Sequence, residues 1–437
     1  MLAKPIYVID GARTPFLKSK NRPGPFSAAD LATQAGRSLL ARQGFAPDEL
    51  DEVILGCAAP SVDEVNIGRV ASLRMGCGQK VPAWTVMRNC ASGMQAIDSG
   101  INNIIAGRAS VVLAGGVDAL SRAPLLYGDK MVLWFSNMAA ARSPLQRISL
   151  FGRLPVASLL APVIGIMKGL TDPMVGLLMG QTAENVAHRF GITREEMDAF
   201  AVRSHERVIK AQDAGGQDAG VLAAGGGEVE ALYDAKGNTY ILDDGVRRDA
   251  SPQNLAKLKP FFDRKYGNVT PGNSSQITDG AAWLILASEA LVTRNDLTPI
   301  GRILDSHWAG LDPAAMGLGP VHAATPILQR NNLALKDIDY WEINEAFAAQ
   351  VLGCLAAWED EKYCREELGL DGPLGSIDED RLNVDGGAIA LGHPVGASGA
   401  RIVLHLLKTL KRNNAKRGMA SICIGGGLGG AMLVEAL

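Results

Sequence analysis

Short runs of β-branched and other apolar residues at 6–9, 53–55, 111–113, 284–286 and 421–424 punctuate the chain. Between them lie longer stretches in which apolar positions recur at helical spacing. This alternation predicts a mixed α/β fold. One helix is predicted to open at Thr193-Arg-Glu-Glu196, a capping-box pattern, and to run on through Met197, Phe200 and Ala201.

The pattern also repeats. Cys90-Ala-Ser-Gly93 opens a helical segment with Ile97, Ile101, Ile104 and Ile105, followed by the strand-like Ala109-Ser-Val-Val-Leu-Ala-Gly-Gly116. Far downstream, Gly396-Ala-Ser-Gly399 opens a segment with Ile402, Leu406, Leu407 and Leu410, which leads into Ala420-Ser-Ile-Cys-Ile-Gly-Gly-Gly427. The helix starts, 90 and 396, lie 306 residues apart; the strand starts, 109 and 420, lie 311 apart, a difference one loop could absorb. On this alignment Cys423 matches Val112. Two blocks in the same order predict a duplicated unit, and a site between two facing halves.

The predicted division is a first half over 1–121 completed by 271–297, an inserted domain over 122–270, and a second half over 298–437. Inside the insertion, residues 154–167 form a 14-residue apolar run broken by Pro155 and Pro162, short of the ~20 residues that span a bilayer. Residues 122–180 carry six basic side chains and two acidic ones, a local charge of +4. Two readings stay open: a core-packed or crossover loop, or a surface meeting a membrane, a partner subunit or an acyl chain.

Composition narrows the function. The formal charge of −3 offers no global field for nucleic acid. Six cysteines form no CxxC or metal-spaced cluster, and the start has no apolar leader, so no metal and a reduced, cytoplasmic setting are expected. Gly425-Gly-Gly-Leu-Gly-Gly430 satisfies GxGxxG, but seven residues follow it, too few for a dinucleotide-binding unit. Serine-hydrolase and P-loop signatures are absent from the sequence.

Three side chains stand out as candidate chemistry. Cys90 sits at a predicted helix N-terminus, where free N–H groups favour the thiolate and lower the thiol pKa. His393, in Gly392-His-Pro394, occupies the corresponding loop of the second half and would be delivered toward that thiol. Cys423 ends a strand before Gly425, Gly426 and Gly427, whose amides could face an oxyanion. Cys57, Cys77, Cys354 and Cys364, and the remaining histidines, read as structural.

Asn89-Cys-Ala-Ser-Gly93, Asn344-Glu-Ala-Phe347, Gly392-His-Pro394 and Cys423-Ile-Gly-Gly426 together resemble the thiolase family, acetyl-CoA acyltransferases. The resemblance runs from Ile9-Asp-Gly-Ala-Arg-Thr-Pro15 to the C-terminus. It implies the thiolase fold: two duplicated mixed-sheet halves in layers with helices, plus an inserted loop domain that carries coenzyme A. It further implies that Cys90 is acylated, that His393 takes its proton, and that Cys423 is the acid/base at the substrate α-carbon. Asn344, through a water, and His393 would form one oxyanion hole, and the amides of Cys90 and Gly425 the other. Ser275, Ala346 and Phe347 match pantetheine contacts, and Met179 a residue beside the acyl group. Coenzyme A would be a substrate, with no resident cofactor, and the protein a homodimer or tetramer.

Leu178 replaces a histidine common before Met-Gly in short-chain members, and residues 358–381 lengthen the link between two motifs. These features resemble the thiolase subunit of the fatty-acid oxidation multienzyme complex, which implies a possible hydratase/dehydrogenase partner subunit. Asn344 differs from the His-Glu-Ala-Phe usual there. The enzyme alternative is a ketoacyl-synthase-type condensing enzyme, against which Cys423 speaks. The non-enzyme alternative is a thiolase-like lipid carrier, against which the full set of four side chains speaks.

Overall fold

The computed structural model describes residues 2–214 and 227–437. Residues 215–226 of the expected insertion lie outside the described residues. Among the described residues, ten strands form one mixed sheet: β1 (Ile6–Arg13), β2 (Leu17–Lys18), β3 (Glu52–Gly56), β4 (Ala83–Val86), β5 (Val111–Ala119), β6 (Thr278–Ser288), β7 (Gly301–Gly310), β8 (Tyr340–Ile343), β9 (Arg417–Ile424) and β10 (Leu428–Ala436). Their order is β8–β9–β10–β7–β1–β6–β5–β3–β4, with β2 beside β6. All five predicted runs fall in strands. The helices that matter for the site are α1 (Ala28–Ala41), α2 (Ile67–Met75), α3 (Ser92–Ile105), α4 (Met179–Phe190), α5 (Arg194–Asp213), α6 (Gly319–Arg330), α7 (Ala348–Glu359) and α8 (Val395–Arg412). The capping box closes as predicted at α5: the Thr193 hydroxyl accepts from the Glu196 amide, and the Glu196 carboxylate accepts from the Thr193 amide.

The strands β5, β6 and β9 are buried on both faces, so they read as near-continuous apolar runs. One face of the first half packs on α1 and α2 through Leu31, Leu39, Ile67, Val53, Leu113 and Trp283. One face of the second half packs on α6 and α7 through Val321, Ile327, Val351, Ile343 and Leu433. The two inner faces share α3 and α8, whose Ile97, Ile101, Leu406 and Leu407 join Val112, Leu284, Ile422 and Met432. Outer helices, the first half of the sheet, the paired helices, the second half of the sheet and outer helices thus stack as five layers. The paired helices approach to backbone contact: a Cβ on Gly93 would stand 2.8 Å from the Gly396 carbonyl, and one on Gly399 2.7 Å from the Met94 nitrogen. Only glycine fits either position.

The two halves meet at β1 and β7, which pair antiparallel. A bulge interrupts β1 between Val8 and Asp10 and β7 between Ile303 and Asp305, which makes Val8 and Ile303 equivalent. Val8 pairs with Leu286, which pairs with Val112; Ile303 pairs with Val434, which pairs with Gly418. Val112 therefore corresponds to Gly418, an offset of 306, the same as between the helix starts. Cys423 corresponds to Val117, which corrects the partner expected from the sequence, Val112. The matching Ala-Ser dipeptides at 109 and 420 are out of phase with the ladders, and a ladder fixes register where small-residue similarity does not. The edge strand follows the same rule in reduced form: Val53 pairs with Ala83 in β3–β4, and its equivalent Trp341 keeps one parallel bridge, to Leu382.

The apolar run at 154–167 is not core. Short helices at Asp129–Ala140, Pro144–Phe151 and Val156–Leu160 present Leu133, Leu145, Ile148, Phe151 and Leu160 to solvent, Leu145 and Leu160 at 79% and 76% exposure. The segment is therefore exposed and not core-packed.

Candidate active site

Cys90 lies in a single 3₁₀ turn, Asn89–Ala91, that feeds α3. Asn89 adopts φ of +43°, a left-handed conformation that asparagine tolerates. Ser92 locks the turn: its hydroxyl accepts from the Arg88 amide at 2.9 Å and donates to the Asn89 carbonyl at 2.7 Å. The turn packs on α8 and on β9. Asn89 Nδ2 donates to the Gly425 carbonyl at 2.8 Å, so the two halves are joined beside the half-buried sulfur.

The amides of Gly425 and of Cys90 itself are directed at the Cys90 sulfur. They favour the thiolate, but burial outweighs them and the thiol is pushed up from its ordinary value. Desolvation thus reverses the lowering expected from the helix terminus. Cys423 is also buried beside Cys90, and its thiol is pushed well up by burial, with the Cys90 charge adding. At rest both sulfurs carry their protons. The hairpin between β9 and β10 accounts for the glycine run: Gly426 and Gly427 have φ of +96° and +75°. Met179, at the start of α4, sits over Gly425, its sulfur 3.1 Å from where a Cβ would stand.

His393 is buried, with its backbone amide held by the Gln276 carbonyl at 2.9 Å. Its Nδ1 lies 2.6 Å from the Ser398 hydroxyl, which donates its own proton to the Pro394 carbonyl at 3.1 Å. That hydroxyl can then only accept, so Nδ1 carries the hydrogen and Nε2 a free lone pair. Nε2 is buried without a partner. Burial, with the Arg401 charge adding, lowers the imidazole pKa to about 4. The result is a neutral base with its acceptor nitrogen unused.

Asn344 follows β8, its amide on the Ser421 carbonyl at 2.9 Å, while both polar atoms of its side chain are buried and unpaired. Unpaired buried amides are costly and mark a place where a ligand or water is expected. The neighbouring Glu345 carboxylate accepts from Ser204 at 2.6 Å, Asn383 at 2.9 Å and the Ile389 amide at 3.2 Å. It thereby ties the Asn344 loop to the loop before His393. Ser275 donates its amide to the Ala346 carbonyl at 2.9 Å, and Ser274 bridges to Phe347. The segment around Ser275 and Gln276 consequently touches both loops, and brings Ser275, Ala346 and Phe347 together. Phe347 also packs edge-on against Phe262, with centroids 5.9 Å apart.

Several site residues escaped the sequence reading. Asp118, buried, accepts from the amides of Ala58, Ala59 and Gly396 and from the Cys57 thiol, and so holds the start of α8 against the first half. Glu345, Asn383 and Gln276 act only through distant partners. Ser398 had a signal: it is the counterpart of Ser92 in the repeated Ala-Ser-Gly.

The junction of the two duplicated halves thus holds a half-buried thiol with two amides toward it, and the second half presents a buried neutral histidine and a buried, unpaired asparagine. The chain belongs to the thiolase family: residues 6–290 match its N-terminal domain and 297–436 its C-terminal domain. It is 35% identical over 431 residues to a 3-ketoacyl-CoA thiolase of Yersinia enterocolitica, and 36% identical over 432 to one of Serratia proteamaculans, each covering 98% of this chain and 96% of the relative. Human mitochondrial 3-ketoacyl-CoA thiolase superposes with a TM-score of 0.83 at 34% identity over the whole of both chains. A Bacillus anthracis acetyl-CoA acetyltransferase superposes with a TM-score of 0.81 at 34% identity over 99% of both chains.

Proposed function

We propose that this thiolase cleaves 3-ketoacyl-CoA with coenzyme A, giving acetyl-CoA and a shortened acyl-CoA, or runs the reverse condensation, through an acyl group on Cys90. The observation that carries this reading is the Cys90 sulfur beneath the Gly425 amide. His393 Nε2 takes the thiol proton as the sulfur attacks the 3-keto carbon. The oxyanion forms against the amides of Cys90 and Gly425. Breaking the C2–C3 bond releases the enolate of acetyl-CoA, whose thioester oxygen is held by His393 and a water on Asn344, and whose carbon takes a proton from Cys423. Incoming coenzyme A gives its thiol proton to the Cys423 thiolate and its sulfur to the acyl carbon; the Cys90 thioester breaks, and the freed Cys90 sulfur takes its proton back from His393. Both cysteines thus start and finish protonated, in keeping with thiols pushed up by burial.

Coenzyme A is the substrate, with pantetheine along Ser275, Ala346 and Phe347 and the acyl group beside Met179. The division is that expected from the sequence, with the inserted domain over 122–270 carrying coenzyme A and the acyl chain. The protein works in the cytoplasm as a homodimer or tetramer, a setting that six free cysteines favour. Residues 122–180 are a contact surface for a partner subunit or an anionic membrane, supported by the exposed apolar side chains and the +4 charge. No helix among the described residues is long and apolar enough to cross a membrane. Incubation with acetoacetyl-CoA or a longer 3-ketoacyl-CoA plus coenzyme A, followed at the thioester absorbance, tests the activity. Absence of turnover across a chain-length series would overturn it in favour of a lipid carrier.

A further inference from the structure

β8 ends one residue before Asn344, and α8 begins two residues after His393. Between these elements Arg401 donates to the Glu342 carboxylate at 2.8 Å, and both side chains are buried. Other charges close round the pair. The second Glu342 oxygen lies 3.8 Å from His405 Nε2, which faces Asp385 at 3.3 Å, itself bound by Arg412 at 2.6 Å. His405 Nδ1 meets Glu228 at 3.0 Å; Glu228 meets Arg13 at 2.6 Å, and Arg13 holds Asp243 through two hydrogen bonds of 2.7 and 3.0 Å. The Glu345 carboxylate also faces Glu342 and Arg401. A line of buried charges thus runs from β1, through the inserted segment, to the two elements that carry Asn344 and His393. Buried ion pairs add little stability over apolar packing, so stability alone does not account for it.

We propose that Arg401 and Glu342 are positioning residues for the reaction: their bridge fixes the strand end that carries Asn344 against the helix start that carries His393, and its balanced charge lets His393 accept the Cys90 proton. The proposal rests on the functional reading above. An imidazolium forming near an unbalanced Arg401 would be repelled, and the Glu342 carboxylate offsets that repulsion. Burial holds the Glu342 carboxyl up at about 7, with Arg401 and His405 pulling the other way. Protonating Glu342 removes the ion-pair partner of Arg401, leaving only the Glu345 carboxylate facing it, and makes His393 a poorer base. His393 itself titrates too low to give a break near neutrality.

The test measures acetylation of Cys90 by acetyl-CoA, together with kcat and KM for thiolysis, across pH 6–9. In the wild type the acetylation rate falls below about pH 7. Glu342→Gln abolishes that break and lowers kcat at pH 8 by about tenfold, with KM within about twofold. The double variant Glu342→Leu/Arg401→Met leaves no unpaired charge at the bridge and is checked by thermal melting. It loses about ten- to a hundredfold in kcat. A folded double variant with kcat within about threefold of wild type overturns the proposal. So does Glu342→Gln with an unchanged break, which decides the matter should the double variant fail to fold. A wild type that takes no acetyl group on Cys90 overturns the functional reading, and this proposal with it.

Discussion

Gly425 directs its amide at the sulfur of Cys90, and Asn89, the neighbour of Cys90, donates to the Gly425 carbonyl at 2.8 Å. One residue of the second half is thus held at both its amide and its carbonyl by the turn that carries Cys90 in the first. Neither half can make this arrangement alone; it exists only where the duplicated units face each other.

The first prediction concerns Cys90 as acyl acceptor. Peptide mass spectrometry after treatment with acetyl-CoA should place an acetyl group on Cys90. Cys90→Ser should lose about 10³-fold or more in kcat, because a serine hydroxyl is far harder to ionise beside the same neutral imidazole. A serine variant with near wild-type turnover sinks this assignment.

A second prediction follows from the raised thiol. Below its pKa, the thiolate fraction grows about tenfold for each unit of pH. Alkylation of Cys90 by iodoacetamide should therefore climb steadily from pH 6 to 9. A resident thiolate–imidazolium pair would give fast labelling that is flat with pH, and that outcome contradicts the neutral site. The same profile in His393→Ala should be lower only where the thiol is not yet ionised.

The alternating texture, the capping box at Thr193 and the duplicated Ala-Ser-Gly blocks were legible because each is written in local residue order. Cys90, His393 and Cys423 stood out because short motifs surround them. The phase of the duplication was not legible. Small residues at 109 and 420 match by composition, while the register depends on bulges at 8–10 and 303–305 that only pairing reveals. Asp118 and Glu345 stayed hidden because their partners lie far away in the chain. The run at 154–167 was ambiguous in principle. Apolar periodicity gives the same pattern whether the apolar side meets a core or a partner.

Stability should fall on the alkaline side. Burial alone would push His405 down, but Glu228 and Asp385 outweigh it and raise its pKa to about 10. A group raised in the folded state contributes its full stabilisation below its ordinary pKa, about 6.5 for histidine, and loses it as pH climbs through 10. The buried thiols of Cys57, Cys90, Cys354 and Cys423, all raised, act in the same direction above pH 9. The thermal midpoint should drop by at least ~4 °C between pH 7 and 10. His405→Gln should melt lower at pH 7 and show a flatter decline. An equal slope in that variant would remove His405 from the explanation.

The surface at 122–180 can be tested without disturbing the catalytic side chains. Leu145, Ile148 and Leu160 are exposed, so replacing all three with Ser removes apolar area at little cost to folding. Sedimentation with anionic vesicles should weaken by about tenfold or more. Turnover of acetoacetyl-CoA should stay within about twofold. Vesicle binding that is absent in the wild type, together with capture of a purified hydratase/dehydrogenase subunit that the triple variant loses, would identify a protein partner there instead. If neither binding changes, the surface has no such role.

Cys423 separates carbon chemistry from acyl transfer. Loading Cys90 from acetyl-CoA needs a nucleophile, the His393 base and the amides of Cys90 and Gly425; Cys423 enters it only by protonating the departing coenzyme A sulfur, a thiolate that also leaves unassisted. Moving a proton at the α-carbon is a different task. The α-proton of a thioester is weakly acidic, and a base beside it works only where the enolate oxygen is stabilised, the role given to His393 and the water on Asn344. Cys423 is buried next to Cys90, with its thiol raised by burial, so it holds its proton until the enolate carbon needs it. Cys423→Ala should therefore still take an acetyl group on Cys90, slowed by no more than about tenfold. Exchange of the acetyl-CoA methyl protons with deuterated water should fall by ~10²–10⁴-fold, the usual contribution of a positioned acid or base. Exchange at the wild-type rate would show that Cys90 and His393 carry both steps, and loss of acetylation along with exchange in a folded variant would show that Cys423 serves both; either outcome overturns this division of labour.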